Sequence, residues 1–132
     1  MNPSPEKIEH LEPNEVFVFG SNLAGRHGRG AAKIAQARFG ARPGHGLGLS
    51  GQSYGIATKG RSLRVLSLER IRGQVYKFIR FAVAHPELTF LVTPIGCGLA
   101  GYKPKDIAPM FMDCILPDNI RLPKSFLAVK SK

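Results

Sequence analysis

Three stretches of the chain combine side chains that do chemistry with glycines that let a backbone approach a ligand. The first, Phe19 to Gly40, reads FGSNLAGRHGRGAAKIAQARFG. The N–H groups of Gly28, Arg29, Gly30 and Ala31 sit where a helix begins, the place at which an anion is best received. Gly20, Ser21 and Asn22 precede them, and the Asn22 amide suits either a sugar hydroxyl or an Asx turn. The second stretch is Thr58-Lys59. A lysine there serves as an anion contact, or as a nucleophile toward a sugar carbon when its amine is free of its proton. The third, Thr93 to Tyr102, reads TPIGCGLAGY. Gly96, Cys97, Gly98, Leu99, Ala100 and Gly101 form a tight loop suited to a diphosphate, and Tyr102 is placed to cover a ribose or to anchor the loop. Cys97 paired with His27 or His45 is a rival nucleophile.

The first glycine stretch is neither a Walker A loop nor a clean GxGxxG dinucleotide fingerprint, and no cysteine–histidine cluster has zinc spacing, so no metal or cofactor is expected. Charge points the same way as the glycines. The 132 residues carry 19 Lys and Arg against 9 Asp and Glu, a formal charge of +10. That excludes an acidic calcium buffer and favours a polyanionic partner. From Val16 to Leu68 there is no acid at all, while 11 of the 15 glycines fall there.

The elements that must position these residues alternate. Glu15–Gly20 reads as a buried strand, and Arg29–Phe39 as an alanine-rich helix stopped by Gly40. Residues 41–52 read as a glycine-rich loop and Ser53–Thr58 as a second strand. Ser67 caps a long helix to His85, with Leu68, Ile71, Val75, Phe78, Ile79 and Val83 on its apolar face. Leu88–Thr93 is a strand buried on both sides. Pro104 opens a helix to Met112, and Ile120–Val129 adds one short strand. The expected fold is therefore α/β, a three-layer α/β/α domain with a mostly parallel sheet. Residues 1–14 form a lead-in and 15–132 a single domain. Ligands in such sheets sit beyond the C-terminal strand ends, where all three stretches begin. The polar, proline-rich start is unlike a signal peptide, and no run approaches the roughly 20 apolar residues of a membrane span. A cytoplasmic protein without a membrane partner is the expectation.

The two glycine stretches together resemble the macrodomain, an ADP-ribose-binding α/β module. Its strand ending in Asn-Ala-Ala-Asn, glycine loop and helix closing on Ala-Gly match Val18–Gly40 in spacing. Asn22 falls on the second asparagine, which in the family binds the distal ribose. Pro94-Ile95-Gly96-Cys97-Gly98-Leu99 resembles the Pro-Arg-Ile-Gly-Cys-Gly-Leu loop of the branch that holds the terminal ADP-ribose protein glycohydrolases, where it wraps the diphosphate. The resemblance spans Glu15 to Phe111. It implies an ADP-ribose or ADP-ribosylated partner and, with Lys59 on the branch's catalytic lysine, hydrolysis of an ADP-ribosyl linkage. Two departures are visible. The acid that follows Gly-Cys-Gly-Leu is replaced by Ala100, and the Gly-Asp-Ile element that reads adenine is absent. The alternative is a basic module binding nucleic acid or poly(ADP-ribose) without catalysis, with Arg70, Arg72, Lys77 and Arg80 on the long helix as a surface for it.

Overall fold

A computed structural model describes residues 3–129 of the chain. The elements run β1 (Glu15–Asn22), α1 (Gly30–Arg38), β2 (Gly48–Ser50), β3 (Ser53–Lys59), α2 (Leu68–Ala84), β4 (Thr89–Val92), α3 (Pro104–Met112), β5 (Ile120–Arg121) and α4 (Lys124–Leu127). One five-stranded sheet has the order β2-β3-β1-β4-β5. β1 pairs in parallel with β3 and β4, and β4 with β5, while β2 alone is antiparallel. The protein is thus α/β with a mostly parallel mixed sheet and four helices among the described residues.

Successive side chains of a strand point to opposite faces, and β1 uses both. Phe17 and Phe19 pack with Ala32, Ala35 and Phe39 of and beside α1. Val16 and Val18 join Ile71, Val75, Phe78 and Ile79 of α2 and Ile107, Met110 and Phe111 of α3 in the larger core. Burial on both faces is why EVFVFGSN reads as a nearly continuous apolar run.

Caps fix the helices where the sequence signals them. The Ser67 hydroxyl accepts the Arg70 N–H and starts α2. Pro104 occupies the first turn of α3, where the Asp106 carboxylate accepts the Lys103 N–H at 3.0 Å. Gly40, at φ +81°, ends α1.

Four details differ from expectation. Residues 41–52 are not all loop, because Gly48–Ser50 forms an antiparallel edge strand on β3. After β5 the chain forms α4 rather than continuing as strand. On α2, Ala82 faces the core and Val83 is 60% exposed, since the helical period carries the apolar stripe from Ile79 to Ala82. The lead-in is also anchored, with Ile8 and Leu11 packed on the Phe17–Phe19 cluster and the Glu12 and Asn14 carbonyls accepting from Gln52 Nε2 and the Thr89 N–H. Ser4 is buried, its hydroxyl donating to the Val92 carbonyl at 2.7 Å and its N–H to the Leu122 carbonyl at 2.8 Å. No helix among the described residues is long and apolar enough to cross a membrane.

Candidate functional site

The C-terminal ends of β1, β3 and β4 open onto one cleft of about 520 Å³. Gly20, Ser21 and Asn22 line it from the end of β1. Gly28, Arg29, Gly30 and Ala31 line it from the start of α1, and Thr58 and Lys59 from the end of β3. Gly96, Gly98, Leu99 and Ala100 close it from the loop after β4. The parallel register explains the convergence, because Gly20 lies beside Ile56 and Ser21 beside Ala57, so neighbouring strands end at similar heights.

Two sets of main-chain N–H groups border this space without a partner. Arg29, the N-cap of α1, offers no capping side chain, and the first turn holds no acid. The N–H groups of Gly30, Ala31 and Ala32 donate to no carbonyl among the described residues. Across the cleft, those of Gly96, Gly98, Leu99 and Ala100 likewise have none, although Cys97 and Gly101 donate within their own loop. Unpaired donors at a helix start carry a partial positive charge of about half an elementary charge. Gly30 (φ +59°) and Gly96 (φ +74°) hold left-handed backbone that L side chains rarely adopt. At Gly96 a Cβ would also meet Ile107 Cδ1 at 3.0 Å.

Among the lining residues the titratable side chains are Arg26, Arg29 and Lys59, with no carboxylate. Asp106, the acid nearest in sequence to the loop after β4, is spent capping α3 and is not part of the lining.

Other expected site residues take structural places. The Asn22 amide Nδ2–H donates to the Arg26 carbonyl at 2.8 Å, and its Oδ1 accepts the Arg26 N–H at 2.9 Å. The side chain therefore borders the cleft while clamping the loop after β1. Tyr102 does not line the cleft. Its hydroxyl donates to the Leu66 carbonyl at 2.7 Å and its ring packs on the larger core, so it is the loop's anchor. Gly101 also lies outside the lining. Cys97 points to the core, and burial, with a smaller contribution from Asp106, pushes its thiol up to about 11.

His27 is no partner for Cys97. Its ring is buried edge-on against Phe19, with Nε2 in reach of the Arg42 and His45 carbonyls at 2.9 and 3.1 Å. These contacts fasten the first loop to residues 42–45. The same seam accounts for three glycines of the acid-free stretch by close packing. A Cβ at Gly25 would collide with Gly44, and one at Gly46 with the Asn22 carbonyl.

The cleft also has walls that residue type did not reveal. Leu63 lines it from a hairpin turn in which Lys59 bridges Val65 and the Leu63 N–H donates to the Gly60 carbonyl. Leu63 is 40% exposed and has φ +66°, the one non-glycine residue with positive φ among those described. Thr93, Pro94 and Ile95 complete the floor beside Gly20. A turn signal at Gly60-Arg61-Ser62 was available, but nothing in it placed Leu63 over the site. No family model matches the chain, and no curated protein or solved structure is detectably similar to it.

Proposed function

We propose that the protein binds ADP-ribose or a closely related nucleotide diphosphate in this cleft, as a macrodomain-like three-layer α/β/α domain. The layering is supported by helices packed against both faces of β1. One observation carries the ligand reading: two sets of unpartnered main-chain N–H groups, those of Gly30, Ala31 and Ala32 and those of Gly96, Gly98, Leu99 and Ala100, border a carboxylate-free cleft lined also by Arg26, Arg29 and Lys59. A diphosphate satisfies both sets at once. Charge-assisted hydrogen bonds are roughly twice as strong as neutral ones, so affinity comes chiefly from backbone. Leu63 and Leu99 supply apolar surface for the flat parts of the ligand.

For hydrolysis of an ADP-ribosyl linkage the lining offers one candidate nucleophile, the Lys59 amine, and no carboxylate to act as general acid or base. Binding is therefore the primary function, and any turnover depends on Lys59 or on a water held by the loops.

Calorimetry with ADP-ribose tests the reading. Gly28 lines the cleft, and a Cβ there meets nothing within 4 Å, so Gly28→Leu adds a bulky side chain at the cleft wall without a steric clash. Saturable binding to the wild type and its loss in Gly28→Leu, with unchanged melting temperature, is the expected result. Equal binding by both proteins contradicts the location, and no binding at millimolar ligand contradicts the ligand class.

A further inference from the structure

Cations concentrate on the elements around the mouth of the cleft. At the cleft end stand Arg26, Arg29 and Lys33 around the first loop and the start of α1. The hairpin after β3 adds Lys59, Arg61 and Arg64. The first turn of α2 adds Arg70, and the start of α3 adds Lys103 and Lys105. Only Glu69 and Asp106 oppose these at the same end, and Asp106 already accepts the Lys103 N–H. The other end is mixed: Glu12 and Glu15 at the start of β1, Glu87 before β4, Asp118 before β5 and Asp113 at the end of α3 stand with Arg38 at the end of α1 and Arg80 near the end of α2. Among the described residues the ion pairs are Lys7–Glu9 and His10–Glu12, both in the lead-in, so the cations at the cleft end stand unpaired.

A diphosphate carries two charges and is already served by the backbone donors. Nine cations on four separate segments around it exceed what such a ligand uses. Clustered like charges repel, and a rim of this kind is stabilised by a partner bearing many negative charges in a row. We infer that the cleft end receives a single-stranded nucleic acid, whose terminal nucleotide enters the cleft while its phosphodiester backbone runs over the rim past the Gly60–Arg64 hairpin. The inference rests on the reading that the cleft takes a nucleotide.

Shape selects a single strand over a duplex. The cleft is concave and holds about one nucleotide-sized unit in its 520 Å³. A paired base must leave its stack to enter, at a cost of a few kcal/mol. Among the described residues the elements at the rim are loops, a short hairpin and the starts of helices, with no long helix or β-ribbon of the kind that reads a groove. Tyr102 is committed to Leu66, so among the described residues the rim offers no free aromatic for base stacking, and recognition outside the cleft is through phosphates.

Fluorescence anisotropy with labelled 12-nucleotide single strands of DNA and RNA, and with the matching duplex, tests the proposal. Four phosphates on the rim give a slope of log affinity against log salt of about −3, a loss of about 50-fold between 50 and 200 mM salt. Arg61 and Arg64 are exposed and lie outside the cleft lining. The double variant Arg61→Glu/Arg64→Glu is expected to weaken strand binding at least tenfold, to flatten the slope by about 1.4, and to keep ADP-ribose affinity within about threefold. Arg38→Glu/Arg80→Glu makes the same change in net charge away from the rim and is expected to leave strand binding within about twofold. No strand binding at 50 mM salt, duplex binding equal to single strand, or equal losses from the two double variants overturns the proposal. If ADP-ribose binds and the strand does not, this inference fails and the cleft reading stands. If the strand binds and ADP-ribose neither binds nor competes, the cleft reading fails and the terminal-nucleotide placement falls with it.

Discussion

Asn22 separates a loop clamp from a sugar ligand, and the two roles respond differently to substitution. Its side chain is 9% exposed and makes two hydrogen bonds to the Arg26 backbone, at 2.8 and 2.9 Å. Each contributes about 1 kcal/mol net, so Asn22→Ala removes about 2 kcal/mol. For a chain of 132 residues the unfolding entropy near the melting point makes 1 kcal/mol worth about 3.5 °C. Asn22→Ala is therefore expected to melt about 7 °C below the wild type. Asn22→Asp keeps the acceptor for the Arg26 N–H, loses the donor to the Arg26 carbonyl, and melts about 3–4 °C low. Ligand affinity reverses that order. The alanine variant loses ADP-ribose affinity only through a looser loop, about threefold. The aspartate places a negative charge beside the diphosphate site and loses more than tenfold, a Coulombic effect of 1.4 kcal/mol or more. Differential scanning fluorimetry and calorimetry on the three proteins read both quantities. An unchanged melting temperature for Asn22→Ala refutes the clamp. A smaller affinity loss for the aspartate than for the alanine refutes the anionic site.

Further outcomes follow from the remaining strained, buried or shifted groups. Leu63→Gly relieves a left-handed leucine costing roughly 1–2 kcal/mol, offset in part by the entropy of an added glycine. Thermal melting should show a gain of about 2–3 °C, and a loss would contradict the strain. Ser4→Ala leaves the Val92 carbonyl short of a buried donor and should cost about 1–2 kcal/mol by urea denaturation; no change would mean that Ser4 does not anchor the lead-in in solution. The Cys97 thiol, raised to about 11 from 9.0, should react with iodoacetamide at pH 8 about a hundredfold more slowly than an ordinary thiol. Because folding favours its protonated form, its contribution is intact below pH 9 and is lost as pH rises through 11. Cys97→Ala should flatten that part of the alkaline stability profile, and an unchanged profile would contradict the assignment.

The alternation of elements was legible because its signals are local. Ser67, Pro104 and Gly40 are caps with a physical reason to be where they are, and both helix starts and the α1 stop agree with them. The convergence of Asn22, Gly30, Lys59 and Gly98 on one cleft was legible through topology, since parallel strands bring their C-terminal ends together. Glycine counting misled where the reason for glycine was packing. Gly25, Gly44 and Gly46 allow two loops to touch, and nothing in a single chain separates that use from contact with a ligand. Tyr102 and His27 were ambiguous for a related reason, because their partners are the carbonyls of Leu66, Arg42 and His45, distant in sequence or placed by a fold back. Leu63 was invisible because its role depends on a turn conformation unusual for leucine. The edge strand Gly48–Ser50 lay hidden in a glycine-rich segment with weak β propensity.

The central claim is that two sets of main-chain donors hold a diphosphate, and amide NMR tests it residue by residue. Titration of the ¹⁵N-labelled protein with ADP-ribose should shift the amides of Gly30, Ala31, Ala32, Gly96, Gly98 and Leu99 together, with one saturation curve, and leave those of α2 from Gly73 to Ala84 in place. Saturable shifts confined to other residues, or none at millimolar ligand, would contradict the account.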